Sequence, residues 1–319
     1  MTFRLGVDVG GTFTDLLLVD DSSGQTYTAK VPSTPEDSSI GVLDGINRIC
    51  SQSDIDLSEV AQVMHGTTVA TNAVLTGKGA KVGLITTKGY RQVLQVARSF
   101  CPGGLGGWVS YVKAPLLAPL ELTIEADERM GADGETVSSL DEDSLKNDLE
   151  KLNSENKIEA LTICFINSYV NGDHEVQAKE IAKNVLGDIP ISISSEVVPE
   201  MQEYERTETT VVNSYVRPQV AKYVTNLQNS LQDKMGSDVN LAILRSDGGL
   251  ASGRAAAESP VNLLLSGPAG GVAGAMYFCQ RGGFEKTHRR HYRAAGHGAG
   301  YRPDRLGQNH NALWCAATY

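Results

Sequence analysis

The chain has 319 residues, of which 41% are hydrophobic and 21% charged, and these proportions are typical of a globular protein with one large domain or two ordinary ones. Its net charge of −10 disfavours nucleic acid as a partner, because binding to phosphates needs a cationic surface. No apolar run reaches the roughly 18–20 residues that cross a bilayer, and the first residues lack a signal-peptide pattern, so we expect a cytoplasmic protein without a membrane span.

Apolar runs separated by glycine and proline turns predict alternating strands and helices over residues 1–286. We predict strands at 5–9, 15–19, 26–31, 60–65, 81–86, 160–166, 191–195 and 241–245. Helices are predicted after Pro35 and at 69–75, 141–152, 174–185 and 202–231, with a break at Pro218 in the last one left open. This alternation indicates an α/β architecture of two lobes, with a boundary near residues 196–202.

The first two predicted strands flank a glycine turn, within the sequence GVDVGGTFTD at residues 6–15. A strand follows these glycines where a P-loop or a Rossmann motif would need a helix, so the pattern predicts a β-hairpin. Adjacent glycines lack the Cβ atoms that would block a phosphate and tolerate positive φ, while hydroxyl and backbone N–H groups can donate to phosphate oxygens. The candidate phosphate cradle comprises Gly10, Gly11, Thr12 and Thr14.

Two carboxylates accompany this hairpin. Asp8 lies near the end of the first strand, where it could hold Mg²⁺ through water, since Mg²⁺ keeps much of its hydration shell. Asp15 supplies a second carboxylate and is a candidate catalytic residue. An ordinary hairpin with a glycine-rich turn is the alternative explanation of this segment.

His65 closes the predicted strand 60–65, directly before Gly66. Imidazole titrates near neutrality, which makes His65 a candidate catalytic acid–base residue. A structural histidine bonded to the backbone fits the position equally well. Further along the chain, Glu203, Glu205 and Arg206 favour a polar network whose members satisfy one another.

The hairpin resembles the first phosphate loop of the actin–hexokinase superfamily of ATPases. Further segments are similar to hydantoinase A, N-methylhydantoinase and 5-oxoprolinase sequences, and they occur in the order found in that family. These segments are residues 64–75, 79–90, 203–207, 213–218, 246–249 and 266–274. On these motifs the chain is identified as a member of the hydantoinase A/5-oxoprolinase family, and the resemblance covers residues 3–286.

The resemblance implies an α/β fold: an actin-like ATPase (ribonuclease H-like) N-terminal lobe with an additional α/β segment. It implies that residues 1–199 form the N-terminal domain of the family and that residues 200–286 begin the hydantoinase A domain. The implied reaction is ATP-dependent hydrolysis of a cyclic amide of hydantoin or 5-oxoproline type, with ATP and Mg²⁺ as cofactors. The family also implies a B-type hydantoinase subunit as partner and leaves an oligomer open.

The sequence after residue 286 departs from the family's pattern. A second phosphate loop similar to D-x-G-G-T-S-T-D is expected soon after residues 266–274, but a tail at 287–319 that holds four of the six histidines stands in its place. We expect this tail to be aberrant or disordered, the chain to be truncated before the second nucleotide-binding lobe, and the chain alone to be inactive. Two alternatives stay open: an ATP-dependent ketone carboxylase subunit, and a non-catalytic fragment that binds a partner.

Overall fold

The computed structural model describes residues 3–34, 38–98, 106, 113–236 and 239–281. The tail at 287–319 and residues 35–37, where the first predicted helix would begin, lie outside the described residues. The strands in chain order are β1 Phe3–Val9, β2 Phe13–Asp20, β3 Thr26–Pro32, β4 Val60–Thr67, β5 Val82–Thr87, β6 Thr123–Ala126, β7 Arg129–Met130, β8 Thr136–Ser138, β9 Ala160–Cys164, β10 Ile191–Ile193, β11 Asn240–Leu244 and β12 Leu250–Ser252.

The α-helices are Ser38–Ser53, Val69–Leu75, Val93–Val96, Glu142–Asn156, Asp173–Leu186, Ser194–Val197, Glu203–Met235, Gly253–Glu258 and Ser266–Arg281. Short 3-10 turns lie at Leu57–Glu59, Leu120–Leu122 and Pro260–Leu263. Strands and helices alternate along most of the chain, which confirms the predicted α/β class. Among the described helices, none has the length and apolar composition that a membrane crossing requires.

The described chain divides into two compact units that interleave in sequence. The first unit contains Met1–Thr71, Tyr223–Ala256 and a stretch from Asn262, whereas the second contains Asn72–Lys222 and Ala257–Val261. The predicted boundary near residue 199 falls inside the second unit. The division of the sequence into a domain at residues 1–199 and a second domain from residue 200 stays a prediction.

The first unit is built on a six-stranded sheet of order β12-β11-β4-β1-β2-β3. β1, β2 and β3 are antiparallel neighbours, while β1, β4 and β11 run parallel. Alternate side chains of β1 are buried, as the period of two along a strand requires. The helix Ser38–Ser53 packs on this buried face, and a Cβ at Gly45 would lie only 2.4 Å from Leu16 Cδ1, so glycine permits the close approach.

His65 lies on the same buried face of the sheet, where its register partner on β1 is Val7. The histidine is 1% exposed, and its Nε2 is 2.7 Å from the hydroxyl of Tyr223. Its Nδ1 has no hydrogen-bond partner among the described residues. Burial lowers the pKa of His65 to about 4, so the imidazole is neutral at physiological pH.

The second unit contains a four-stranded parallel sheet of order β10-β9-β5-β6. The helices Glu142–Asn156 and Asp173–Leu186 bury leucine and alanine side chains in the core of this unit. β10 ends earlier than predicted, because Ser194–Val197 is helical. The Ser194 hydroxyl and the Ser195 N–H both donate to the Glu175 carboxylate, which draws this segment into a turn.

The backbone of Phe165, in the core of the second unit, contacts two buried charged side chains. Arg206 is 1% exposed and donates from Nη2 to the carbonyl of Phe165 at 2.9 Å. The N–H of Phe165 donates to the buried carboxylate of Glu175 at 2.9 Å. The predicted network of Glu203, Glu205 and Arg206 therefore takes another form, since Arg206 binds carbonyl groups and Glu205 instead forms a two-bond ion pair with Arg98.

The helix Glu203–Met235 runs without a break through Pro218, so the interruption left open at that residue does not occur. Val216 and Val220 on either side of the proline are fully buried. Tertiary packing thus holds the helix together where the missing N–H would otherwise interrupt it.

We expect Arg206→Met to lower the free energy of unfolding by roughly 3–5 kcal/mol, because it leaves the carbonyl groups of Phe165 and Glu200 without their donor. The control, Arg98→Met, removes an ion pair that is about half exposed on its arginine side and should cost no more than about 1 kcal/mol. Urea titration of both variants measures the difference. Similar losses would show that the buried guanidinium is not a main support of this core.

We further expect His65 to make stability depend on pH. Its pKa is about 4 in the folded protein and near 6.5 in an unfolded chain, so the unfolded chain binds more protons between those values. Stability is therefore complete above pH 6.5 and declines as the pH falls towards 4. Between pH 7.5 and pH 5 the parent protein should lose about 2 kcal/mol more than His65→Leu does. Tyr223→Phe keeps the imidazole and should keep the slope; identical losses in the parent and His65→Leu would contradict the assignment.

Candidate functional site

The turn between β1 and β2 closes with a hydrogen bond from the Gly10 N–H to the Phe13 carbonyl at 3.0 Å. A Cβ at Gly10 would approach that carbonyl to 3.1 Å, whereas a Cβ at Gly11 would meet nothing within 4 Å. Neither glycine has positive φ, so the turn does not use the left-handed backbone that glycine tolerates. The absence of Cβ atoms is what matters here, because it leaves the tip at Gly11 open to a large anion.

Ser33, which follows β3, stabilises the turn through hydrogen bonds. Its hydroxyl donates to the Gly10 carbonyl at 2.8 Å, and its N–H donates to the Thr12 carbonyl at 2.9 Å. The Thr14 hydroxyl lies 3.0 Å from Ser33 Oγ and donates to it, because the Ser33 proton is already used on Gly10. Thr14 is fully buried, so the structure places its hydroxyl beneath the turn, while Thr12 is exposed at the tip.

The two candidate carboxylates lie side by side on one face of the sheet. The register pairs Asp8 with Asp15 across β1 and β2, and pairs Asp8 with Gly66 across β1 and β4. A Cβ at Gly66 would come within 3.3 Å of Asp8 Oδ1, so this glycine leaves room for the carboxylate. Partial burial raises the pKa of Asp8, and the neighbouring Asp15 carboxylate raises it further.

Lys30 on β3 completes the row of side chains across this face. Its register partner is Asp15, and its Nζ lies 2.8 Å and 3.0 Å from the two oxygens of that carboxylate. The Asp8 carboxylate has no hydrogen bond or ion pair with any residue in the described part of the chain. We refer to Gly66, Asp8, Asp15 and Lys30 as the carboxylate row.

His65 does not join the carboxylate row. Its register partner Val7 points to the buried face, while the next pair, Asp8 and Gly66, points to the other face. The sheet therefore separates the imidazole from both carboxylates. Of the predicted site residues, the structure brings together Asp8, Asp15 and the turn, and it places His65 among the core contacts with Tyr223.

A second turn, at the end of β4, lies beside the end of β1. The Thr68 hydroxyl donates to the Val9 carbonyl at 3.3 Å, and the Thr67 hydroxyl accepts from the Val69 N–H at the start of the helix Val69–Leu75. The buried Ser266 hydroxyl is 3.4 Å from the Thr67 carbonyl. These contacts fix the β4 turn next to the hairpin.

The donor set suits a hydrated Mg²⁺ better than a metal held by protein alone. Within the described ranges no group of three or more histidine, cysteine or acidic side chains converges on one point. Mg²⁺ is ordinarily bound by one or two carboxylates together with waters and substrate phosphates. An unpaired Asp8 beside an open turn meets that requirement.

The chain resembles known proteins over almost the whole described range. Residues 4–186 match the hydantoinase/oxoprolinase N-terminal region, and residues 206–287 match the hydantoinase/oxoprolinase family. The chain is 32% identical over 289 residues to caprolactamase subunit alpha of Pseudomonas jessenii, a match that covers 89% of this chain and 41% of that protein. It is 30% identical over 313 residues to 5-oxoprolinase of Dictyostelium discoideum, covering 86% of this chain and 24% of that one.

Two solved structures share the fold. The nucleotide-free structure of acetone carboxylase superposes with a TM-score of 0.79 at 25% identity, covering 88% of this chain and 41% of that one. The ATP-dependent caprolactamase from Pseudomonas jessenii superposes with a TM-score of 0.77 at 32% identity, with the same coverage of both chains. The chain thus spans about two fifths of these relatives, and both of its matched regions carry one family description. The chain belongs to the hydantoinase/oxoprolinase family.

Proposed function

We propose that this chain carries the first phosphate-binding hairpin of an ATP-dependent enzyme that hydrolyses a cyclic amide. One observation supports this most strongly: the open turn at Gly11 lies beside Asp8, a carboxylate without a protein cation. Relatives named for ATP-dependent caprolactam and 5-oxoproline chemistry support the substrate class. Because the chain spans only part of these relatives, the activity of the whole protein is part of the proposal.

The residues of the hairpin have distinct proposed roles. Asp8 holds hydrated Mg²⁺, and the N–H groups of Gly11 and Thr12 together with the Thr12 hydroxyl bind phosphate oxygens. The Gly10 N–H is already bonded to Phe13, so Gly10 shapes the turn. Thr14 stabilises the turn indirectly, because its hydroxyl bonds to Ser33, which in turn bonds to the Gly10 carbonyl. A turn fixed before the ligand arrives loses little entropy on binding.

The two residues expected to be catalytic are proposed here in other roles. Asp15 is engaged in an ion pair with Lys30, so we do not assign it an acid–base role. His65 is buried and neutral, and it positions β4 through Tyr223. We propose that the acid–base groups for the amide lie outside the hairpin.

When bound, Mg²⁺–ATP would supply a phosphoryl group to the unreactive amide oxygen and so provide a leaving group for hydrolysis. The chain's own contribution is to hold and orient the phosphates at the turn. Asp8 would position the metal's water shell, and the N–H groups of the tip would offset negative charge on the phosphates. The cytoplasmic location expected from the sequence stays a prediction.

The structural likeness to acetone carboxylase favours a second candidate, a subunit of an ATP-dependent ketone carboxylase. The same hairpin would serve both reactions, since both use ATP, so the hairpin does not distinguish an amide from a ketone. A non-catalytic chain that binds a partner is a third candidate. A relative named as a subunit supports a partner chain in each case, and we propose a B-type hydantoinase subunit.

We expect Asp8→Ala to remove the carboxylate that positions hydrated Mg²⁺. In the catalytically competent enzyme, turnover should fall by roughly 10²–10⁴. In the 319-residue chain, Mg²⁺-dependent binding of a fluorescent ATP analogue should weaken while circular dichroism stays unchanged. Near-normal turnover in a folded Asp8→Ala protein would disprove the metal assignment.

Gly11→Val tests the phosphate tip separately from the metal. The branched side chain would occupy the open space at the turn, so affinity for the nucleotide should fall by about tenfold or more, with or without Mg²⁺. Gly274→Val is the matched control, because a Cβ at Gly274 also meets nothing within 4 Å and its φ is not positive. Equal nucleotide affinity in the two variants would exclude the turn as the phosphate site.

A further inference from the structure

The two acids of the carboxylate row differ in their partners. Lys30 contacts both oxygens of the Asp15 carboxylate, whereas the Asp8 carboxylate makes no hydrogen bond or ion pair with a described residue. Alternation along β1, β2 and β3 brings Asp8, Asp15 and Lys30 to the same face in adjacent positions. One carboxylate is thus paired with a protein cation and its neighbour is not.

A second contact holds the Lys30 ammonium where it is. Its Nζ lies 5.0 Å from the ring centroid of Phe13, which precedes Asp15 by two residues on the same face of β2. An ammonium over an aromatic face is attracted by the electron-rich ring. Lys30 is therefore held between the ring and the carboxylate.

The side chains of Lys30 and Asp15 are 55% and 56% exposed. Exposed ion pairs contribute little to stability, so we expect this pair to add little to the stability of the fold. A charge placed beside the proposed metal carboxylate nevertheless changes the local potential. An effect on the proposed metal site therefore explains the Lys30–Asp15 ion pair better than an effect on protein stability does.

We propose that Lys30 sets the number of carboxylates that the site offers to a divalent cation. By neutralising Asp15, Lys30 leaves Asp8 alone to face hydrated Mg²⁺. A single carboxylate binds a hydrated ion weakly, so the ion is retained only when nucleotide phosphates add their charge. Lys30 is in this way a specificity-determining residue that selects the metal–nucleotide complex over the free metal. The inference rests on the proposed function of the hairpin.

The test measures binding of Mn²⁺ to the 319-residue chain without nucleotide, from the electron paramagnetic resonance signal of the free ion. Lys30→Met should tighten Mn²⁺ binding roughly 3- to 10-fold, as expected when one positive charge is removed several ångströms from a divalent ion in water. Lys30→Arg keeps the charge and should behave like the parent chain.

Two further variants identify the cause. Lys30→Met combined with Asp15→Asn should restore the parent affinity, because the freed carboxylate is then absent. Lys88→Met removes an equal charge from another exposed ion pair, with Asp127 in the second unit, and should leave Mn²⁺ binding unchanged. Circular dichroism of each variant checks the fold.

The outcomes separate this inference from the function on which it rests. If Asp8→Asn abolishes Mn²⁺ binding but Lys30→Met leaves the affinity unchanged, the role of Lys30 is wrong and the metal site stands. Tighter binding in both Lys30→Met and Lys88→Met would also overturn it, because net charge alone would then explain the change. If Asp8→Asn has no effect on Mn²⁺ binding, both the metal site and the role of Lys30 are wrong.

Discussion

The pairing of β1 with β2 and β4 decides what each face of the first sheet can do. Because side chains alternate, fixing Asp8 opposite Gly66 and Asp15 sends the carboxylates to one face and His65 to the other. A slip of one residue would bury Asp8 against the helix Ser38–Ser53 and expose the apolar set, so burial of the apolar residues protects the register. Packing of apolar side chains on one face of the sheet thus determines which side chains, including the two carboxylates, lie on the other face.

Local patterns predicted much of the fold and part of the site. The apolar runs of β1 and β2 and the glycine turn between them were visible in the sequence, and the helix Val69–Leu75 occupies the predicted residues. The side of the sheet that His65 faces was not visible, since it depends on pairing between strands more than fifty residues apart. Ser33 was missed for a related reason: no motif marks a serine that meets the turn only after β3 folds back.

Elsewhere the tertiary structure overrode local preference. A proline normally ends a helix, but the buried valines around Pro218 hold the helix Glu203–Met235 together. The sequence also suggested that neighbouring acids would satisfy Arg206. Its contacts are instead carbonyl groups, one of them on Phe165, the residue whose N–H binds Glu175. Ion pairs that are close in space and distant in sequence leave no local pattern, and the exposed pair of Lys30 and Asp15 belongs to the same class.

The interleaved order of the two units affects how the protein folds while it is being synthesised. β11 pairs with β4, yet almost the whole second unit lies between them in the chain. Such non-local pairing raises the contact order and slows completion of the sheet. During synthesis β1 to β4 are available long before β11, so the outer edge of β4 lacks its neighbour for that period. An unpaired edge can pair with other chains, and this is where we expect nascent molecules to need a chaperone most.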